Sequence, residues 1–232
     1  DAKSSLQKLL EALEGYIGSP EFCEEMFARK KAWKTELLSG SIADMEKTPV
    51  PPVALHRALE QCLQEDAVFC VDAGNPGAWT HYTTFPKGTV YMKPVNYGNM
   101  GFALGAAIGC KEAEPAREVI ALLGDGSLGM TLGELETMAR EKLKITVLLV
   151  NDSAYGNIRQ EELFKMGEGR YIGVDFPHYD YVNVARTFGF EGCVVTKASQ
   201  IPAAMEAARA CDGPYFIEVK LDGSFTVWPE AL

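Results

Sequence analysis

Apolar runs of membrane-spanning length are missing from this chain. The runs Val119 to Leu123 and Ile145 to Val150 fall far short of the ~18 residues that cross a bilayer, so no membrane partner is expected. Basic residues are scarce: 22 Lys and Arg stand against 32 Asp and Glu, a formal net charge of −10. Without a basic patch, nucleic acid is excluded as a partner. His56, His81 and His178 are the only histidines and show no metal-ligand spacing. The six cysteines (Cys23, Cys62, Cys70, Cys110, Cys193 and Cys211) never form a C-x-x-C pair. That argues against a zinc or iron–sulfur centre and for reduced thiols in a cytoplasmic protein. The chain shows no charged-then-apolar leader, internal repeat or low-complexity tract. What it does have is 232 residues at 47% hydrophobic, enough to bury a core and too apolar for a disordered chain.

Residues 1–48 read as a helical tail or linker from a preceding domain, and 49–232 as the main domain. In the tail, Leu6, Leu9, Leu10 and Leu13 recur at helical spacing and Gly15 follows as a stop. A second helical stretch carries Phe22, Met26, Phe27 and Trp33. Pro49-Val50-Pro51-Pro52 marks the boundary. Beyond it the spacing predicts a helix over about 53–64, a strand over 67–71 and a loop to about 98. A helix over 101–112, a strand over 119–123, a helix over 132–141 and a strand over 145–150 follow. After a long loop come a helix over 180–188, a strand over 192–195, a helix over 199–210 and a strand over 215–220. Strands apolar throughout, separated by amphipathic helices, indicate an α/β fold: a doubly wound, mainly parallel sheet with helices on both faces.

The chemistry is concentrated at two strand ends. One strand runs into Gly124-Asp125-Gly126-Ser127, the next into Asn151-Asp152. In a right-handed βαβ unit both ends lie on the same sheet edge, so Asp125 and Asp152 approach one another where open α/β sheets bind ligands. Gly124 and Gly126 allow tight curvature and leave their amides unobstructed. Thr131-Leu-Gly-Glu134 reads as a capping box opening the next helix. Two carboxylates would repel a bare phosphate, but a Mg²⁺ between them reverses the sign, and the pattern reads as a metal-bridged diphosphate site. A competing reading exists: Gly124, Gly126 and Gly129 match the dinucleotide fingerprint G-x-G-x-x-G, with Asp152 as the ribose ligand. That alternative is a nicotinamide- or flavin-linked oxidoreductase, although Asp125 puts charge where a pyrophosphate normally binds without metal.

Gly124-Asp125-Gly126, then 24 residues, then Asn151-Asp152 resembles the thiamine-diphosphate motif of the acetolactate synthase and 2-oxo-acid decarboxylase superfamily. Three further segments agree in order: Asp72-Ala-Gly74-Asn75, the run from Val95 through Met100 to Gly109, and Tyr155-Gly156-Asn157-Ile158-Arg159-Gln160. Asp180-Tyr-Val-Asn-Val-Ala185 resembles a later helix. The similarity spans about residues 50–222 and implies the C-terminal thiamine-diphosphate-binding domain. By that resemblance, Asp125, Asp152 and the Ala154 carbonyl bind Mg²⁺. Gly124, Gly126 and Ser127 hold the diphosphate, helped by Gly74, Asn75, Asn157 and the Tyr155-Gly156 turn. The Gly98 carbonyl accepts from the cofactor's 4′-amino group, and Met100 packs under the bent cofactor with its amide at the pyrimidine.

The implied activity is decarboxylation or carboligation of 2-oxo acids, acetolactate synthase-like, within a homo- or hetero-oligomer. Two departures stand out. The family usually has Asn where this chain has Asp152, and acetolactate synthases carry a substrate-selecting Trp where this chain has Glu161. No catalytic residue is assigned within the chain. The family's activating glutamate lies in a pyrimidine-binding domain, fused upstream or on a separate subunit, and residues 1–40 resemble the tail of the family's middle domain. The chain alone is therefore expected to be inactive. A non-catalytic cofactor-binding subunit is the remaining reading.

Overall fold

The computed structural model describes residues 1–40 and 43–225. The chain divides into two compact units, Asp1–Gly40 and Ser41–Leu232. In the first, α1 (Ala2–Ala12) opens on Asp1, whose carboxylate accepts the amides of Lys3 and Ser4 at 2.8 and 3.3 Å. α2 (Pro20–Ser39) opens on Ser19, whose hydroxyl accepts the Phe22 amide, with Pro20 at the first position where no amide is needed. Neither helix buries a residue, and the leucine stripe of α1 lies open.

The second unit runs α3 (Pro52–Glu60), β1 (Val68–Val71), α4 (Asn75–Trp79), β2 (Val90–Met92), α5 (Phe102–Ala113) and β3 (Val119–Gly124). It continues with α6 (Asp125–Thr131), α7 (Glu134–Arg140), β4 (Ile145–Asn151), α8 (Gly156–Met166), α9 (Tyr181–Thr187), β5 (Glu191–Val195), α10 (Ile201–Ala210) and β6 (Tyr215–Lys220). The six strands form one sheet in the order β2-β1-β3-β4-β6-β5, every pair parallel. Alternation along each strand feeds two cores. Ile120 and Leu122 of β3 pack with Leu55, Leu59, Trp79, Ile201 and Met205 on the face of α3, α4 and α10. Ala121 and Leu123 pack with Leu104, Leu135, Met138, Val182 and Ala185 on the face of α5, α7 and α9. At roughly 2 kcal/mol per fully buried aliphatic side chain, both faces contribute to holding the sheet. This is the doubly wound α/β architecture read from the strand pattern.

Register places the site. Gly124 of β3 is level with Val150 of β4, and Asn151 of β4 with Lys220 of β6. The chain leaves β1 outward to β2, then returns to the other side of β1 for β3, so the winding reverses between β1 and β3. Ligands bind at the carboxyl ends of strands flanking such a reversal.

The Pro49-Val50-Pro51-Pro52 segment packs into the second unit: Val50 is fully buried, its amide donates to the Lys220 carbonyl and its carbonyl accepts the Asp222 amide. Several local expectations are corrected. The stretches expected as loops hold α4, β2 and α8. α8 escaped a search for apolar periodicity because its one buried residue is Gln160. No capping box forms at Thr131. That residue instead ends α6 with its hydroxyl donating to the Ser127 carbonyl, and Gly133 precedes α7. Gly101, Gly105 and Gly109, at i, i+4 and i+8, read in the sequence as a flat face for close backbone packing; Gly105 and Gly109 instead face open space, whereas at Gly101 a Cβ would sit 2.9 Å from Thr131. The C-terminal run Phe225-Thr-Val-Trp228-Pro229, which as sequence reads as a lid segment or a docked tail, lies outside the described residues beyond Phe225.

Candidate functional site

Loops leaving β1, β3 and β4 meet at one edge of the sheet around a cavity of about 190 Å³. The β1 loop contributes Gly74 and Asn75; the segment before α5 contributes Gly98 and Met100; the β3 loop contributes Gly124, Asp125, Gly126 and Ser127. The β4 loop contributes Asp152, Ala154, Tyr155, Gly156 and Asn157. Every candidate site residue named from the sequence therefore lines the same space. Trp79, Pro76, Val150 and Leu221 add apolar walls that no motif announced, beside Ile158 of the Tyr155–Gln160 segment.

Asp72, at the tip of β1, organises the floor. It is fully buried, and one carboxylate oxygen accepts the Gly101 amide at 3.0 Å and the Ser127 hydroxyl at 2.9 Å. The other accepts the Ala103 amide at 2.8 Å. One side chain thus ties the β1 tip to the starts of α5 and α6. It also engages the Ser127 hydroxyl proton, which is therefore not available as a donor into the cavity. The sequence reading quoted Asp72 within a motif but gave it no role.

Two glycines are required by contact, not by backbone angle. A Cβ on Gly126 would lie 2.6 Å from the Tyr155 ring and 3.2 Å from the Met100 methyl. A Cβ on Gly156 would overlap the Asp152 carboxylate. Tyr155 is itself held edge-on to Phe176, ring centroids 4.6 Å apart. An isolated bridge between Ala154 and Asp175 supports it, built from the amides of Tyr155 and Phe176 and the carbonyls of Val174 and Ser153. That bridge leaves the Ala154 carbonyl out of its pairing.

Electrostatically the pocket asks for a cation beside an anion. Burial raises the pKa of both Asp125 and Asp152, and the charge of Asp152 raises Asp125 further. The Ala154 amide opposes the shift at both, and Arg159 opposes it at Asp152. Asp125 Oδ2 is buried with no hydrogen-bond partner. So is the Asn75 side-chain nitrogen, although Asn75 Oδ1 accepts from Asn157 at 2.9 Å. An orphan acceptor and an orphan donor in one small cavity are met by a metal ion and an oxyanion respectively. Among the described residues there is no group of three or more His, Cys, Asp or Glu placed to hold a metal. The oxygens on offer are two carboxylates and backbone carbonyls, the donor types that suit a hard ion such as Mg²⁺.

The dinucleotide reading fails on Gly129. That glycine is exposed, away from the cavity, and a Cβ on it would touch nothing within 4 Å. The third glycine of the fingerprint serves close helix–strand packing, and none occurs there. Glu161 is also absent from the cavity wall; it pairs with Lys165 on the outer face of α8.

Comparison with known proteins agrees with this geometry. The family model described as "Thiamine pyrophosphate enzyme, C-terminal TPP binding domain" matches residues 72–219. The acetolactate synthase large subunit of Corynebacterium glutamicum is 30% identical over 240 residues, covering 99% of this chain and 37% of that protein. 2-Hydroxyacyl-CoA lyase 2 of Mus musculus is 27% identical over 243 residues, with 98% and 37% covered. Among solved structures, a thiamine diphosphate-dependent 4-hydroxybenzoylformate decarboxylase of Rhodococcus jostii RHA1 superposes with a TM-score of 0.69 at 28% identity, covering 76% of this chain and 33% of that one. The chain thus spans about a third of the length of these relatives.

Proposed function

Because the chain belongs to the thiamine pyrophosphate enzymes, as their C-terminal cofactor-binding domain, we propose that it is the cofactor-anchoring part of a larger enzyme acting on 2-oxo acids. The reaction is decarboxylation or carboligation, of the kind the names of its acetolactate synthase and decarboxylase relatives describe. The observation that carries this reading is the orphaned Asp125 Oδ2 beside Asp152 and the orphaned Asn75 amide.

In this reading Asp125, Asp152 and the Ala154 carbonyl hold Mg²⁺. The Asn75 side-chain nitrogen, Asn157 and the backbone amides at Gly126, Ser127 and Gly156 receive the diphosphate, with Gly74 and Gly124 shaping the turns. Gly98 and Met100 receive the pyrimidine end. Bound there, thiamine diphosphate would supply a nucleophilic carbon and a sink for the electron pair left behind when CO₂ departs. This chain's share is anchorage and alignment: two carboxylates fix the metal, the glycine turns give backbone amides to phosphate, and Met100, Trp79 and Ile158 exclude water from the walls.

The glutamate that activates the pyrimidine lies in a partner domain, fused or separate, so the complete site forms within an assembly. The unpaired state of all six cysteines favours a cytoplasmic setting.

Calorimetry tests the anchor. Thiamine diphosphate binds in the presence of Mg²⁺ and its heat disappears with EDTA; binding of NAD(H) that ignores EDTA would overturn the reading. A second measurement tests the division of labour. This chain alone releases no CO₂ from pyruvate with cofactor and Mg²⁺, and gains turnover when mixed with a pyrimidine-binding domain.

A further inference from the structure

β6 reads Tyr215-Phe-Ile-Glu-Val-Lys220, and packing alone would place an apolar side chain at its fourth position. Instead Glu218 sits there at 1% exposure, on the same strand face as Phe216 and paired in register with Leu149. A carboxylate so placed is costly unless its oxygens are matched. Oε1 accepts the Asn151 side-chain N–H at 2.6 Å and pairs with the Lys220 ammonium; Oε2 is buried without a hydrogen-bond partner. Asn151 is also buried, and its Oδ1 accepts the Ser153 amide at 2.9 Å and the Ser153 hydroxyl at 3.3 Å. Between those two residues lies Asp152, whose side chain lines the cavity. Ser153 is held at φ +56°, the left-handed region that residues with a Cβ avoid.

The hydrogen bonds form one continuous path, Lys220 to Glu218 to Asn151 to Ser153, ending on the turn that carries Asp152. A carboxamide can face either way, with its N–H₂ or its oxygen toward a neighbour. An ionised carboxylate accepts and never donates, so Glu218 admits only the orientation that turns Asn151 Oδ1 toward the Ser153 amide. That bond in turn holds the strained turn.

We propose that Glu218 is a positioning residue for the Asp152 turn, acting through Asn151 to set how tightly the loop grips a divalent cation. The proposal rests on the metal-anchoring reading given above. Groups that orient metal ligands from behind typically change metal affinity by about 10- to 100-fold when removed.

The test titrates the whole chain with Mn²⁺ in the presence of thiamine diphosphate, counting free ion by electron paramagnetic resonance. Thermal unfolding in EDTA without cofactor is measured in parallel. Glu218→Leu is expected to raise the half-saturating Mn²⁺ concentration at least about tenfold. Glu218→Gln retains an oxygen that accepts from Asn151, kept facing it by Lys220, and stays within about threefold of the unmodified chain, well inside that range. If Glu218→Leu does not fold, Asn151→Ala carries the test, since it keeps the buried Glu218–Lys220 pair and removes only the relay; the same loss is expected.

Unchanged Mn²⁺ affinity in Glu218→Leu, or in Asn151→Ala, overturns the proposal. So does a loss in Glu218→Gln equal to that in Glu218→Leu, because charge rather than the held amide would then be responsible. An unmodified chain that takes up no Mn²⁺ overturns this proposal and the metal-anchoring reading together, whereas loss confined to the variants leaves that reading standing.

Discussion

Asp125 shows how a side chain good for a ligand is poor for the fold. Burial and the neighbouring Asp152 both push its pKa up, so above its unfolded-state pKa the ionised form opposes folding while no cation is present. Asp125→Asn keeps the shape and removes one of two repelling charges. In EDTA at pH 7 the variant should unfold later than the unmodified chain, by an amount equivalent to about 1 kcal/mol, while losing Mg²⁺-dependent cofactor binding. Chemical denaturation in EDTA and calorimetry with Mg²⁺ read the two effects separately; a variant less stable than the parent in EDTA would refute the account of mutual repulsion. At Asp152 burial alone raises the pKa, so its ionised form too is disfavoured in the fold while no cation is present. At this scale the motif residues were legible in the sequence because their types announce chemistry. Glu218 was not, although an acidic residue inside an otherwise apolar strand is a signal that a search for buried charge would catch.

Among the elements, the decisive joint is the one Asp72 makes between β1, α5 and α6. The amides of Gly101 and Ala103 are orphan donors at a helix start, and the Ser127 hydroxyl belongs to the first turn of the next helix. Asp72→Ala strips the acceptor from all three and leaves them buried, a cost of about 3 kcal/mol in unfolding free energy. Urea denaturation should show the midpoint falling with little change in slope; a loss below about 1 kcal/mol would mean that water or another group takes over as acceptor. The long apolar elements, β3, β4, α5 and α10, were readable from periodicity because burial on a sheet face enforces it. α4, β2 and α8 were not: each is short or polar, and neighbours supply its reason to form. β2 pairs only with β1 at the sheet edge, and α8 buries a glutamine where a core helix buries leucine.

For the molecule as a whole, pH reaches the core through His56. Burial, with the nearby His81 as a smaller cause, lowers its pKa from 6.5 to about 3, and its Nδ1 is held 2.7 Å from the Thr83 hydroxyl. A depressed histidine contributes stability that is present above pH 6.5 and lost as pH falls toward 3, because the unfolded chain takes up a proton that the fold refuses. The loss approaches about 1.4 kcal/mol per pH unit below 6.5. Burial-raised Asp125 and Asp152 push stability the other way in this window, so the His56 contribution is read by difference: in thermal unfolding between pH 7.5 and 5, His56→Gln should lose less stability than the unmodified chain, and parallel profiles would assign the acid sensitivity elsewhere. By itself the amino-acid sequence determined the fold class and the family, and singled out Asp125 and Asp152 as the carboxylate pair that meets at one cavity. Burial periodicity and the spacing of chemically distinctive residues are local properties, written along the chain. Only the tertiary structure decided that Val50 of the proline segment bridges to Leu221 past the end of β6, that the glycines of α5 face open space, and that Ser127 spends its hydroxyl on Asp72. The same holds for Glu218 reaching Asn151 across two strands. Each of these depends on which distant residues the strand order and register make neighbours, and no spacing along the chain encodes that.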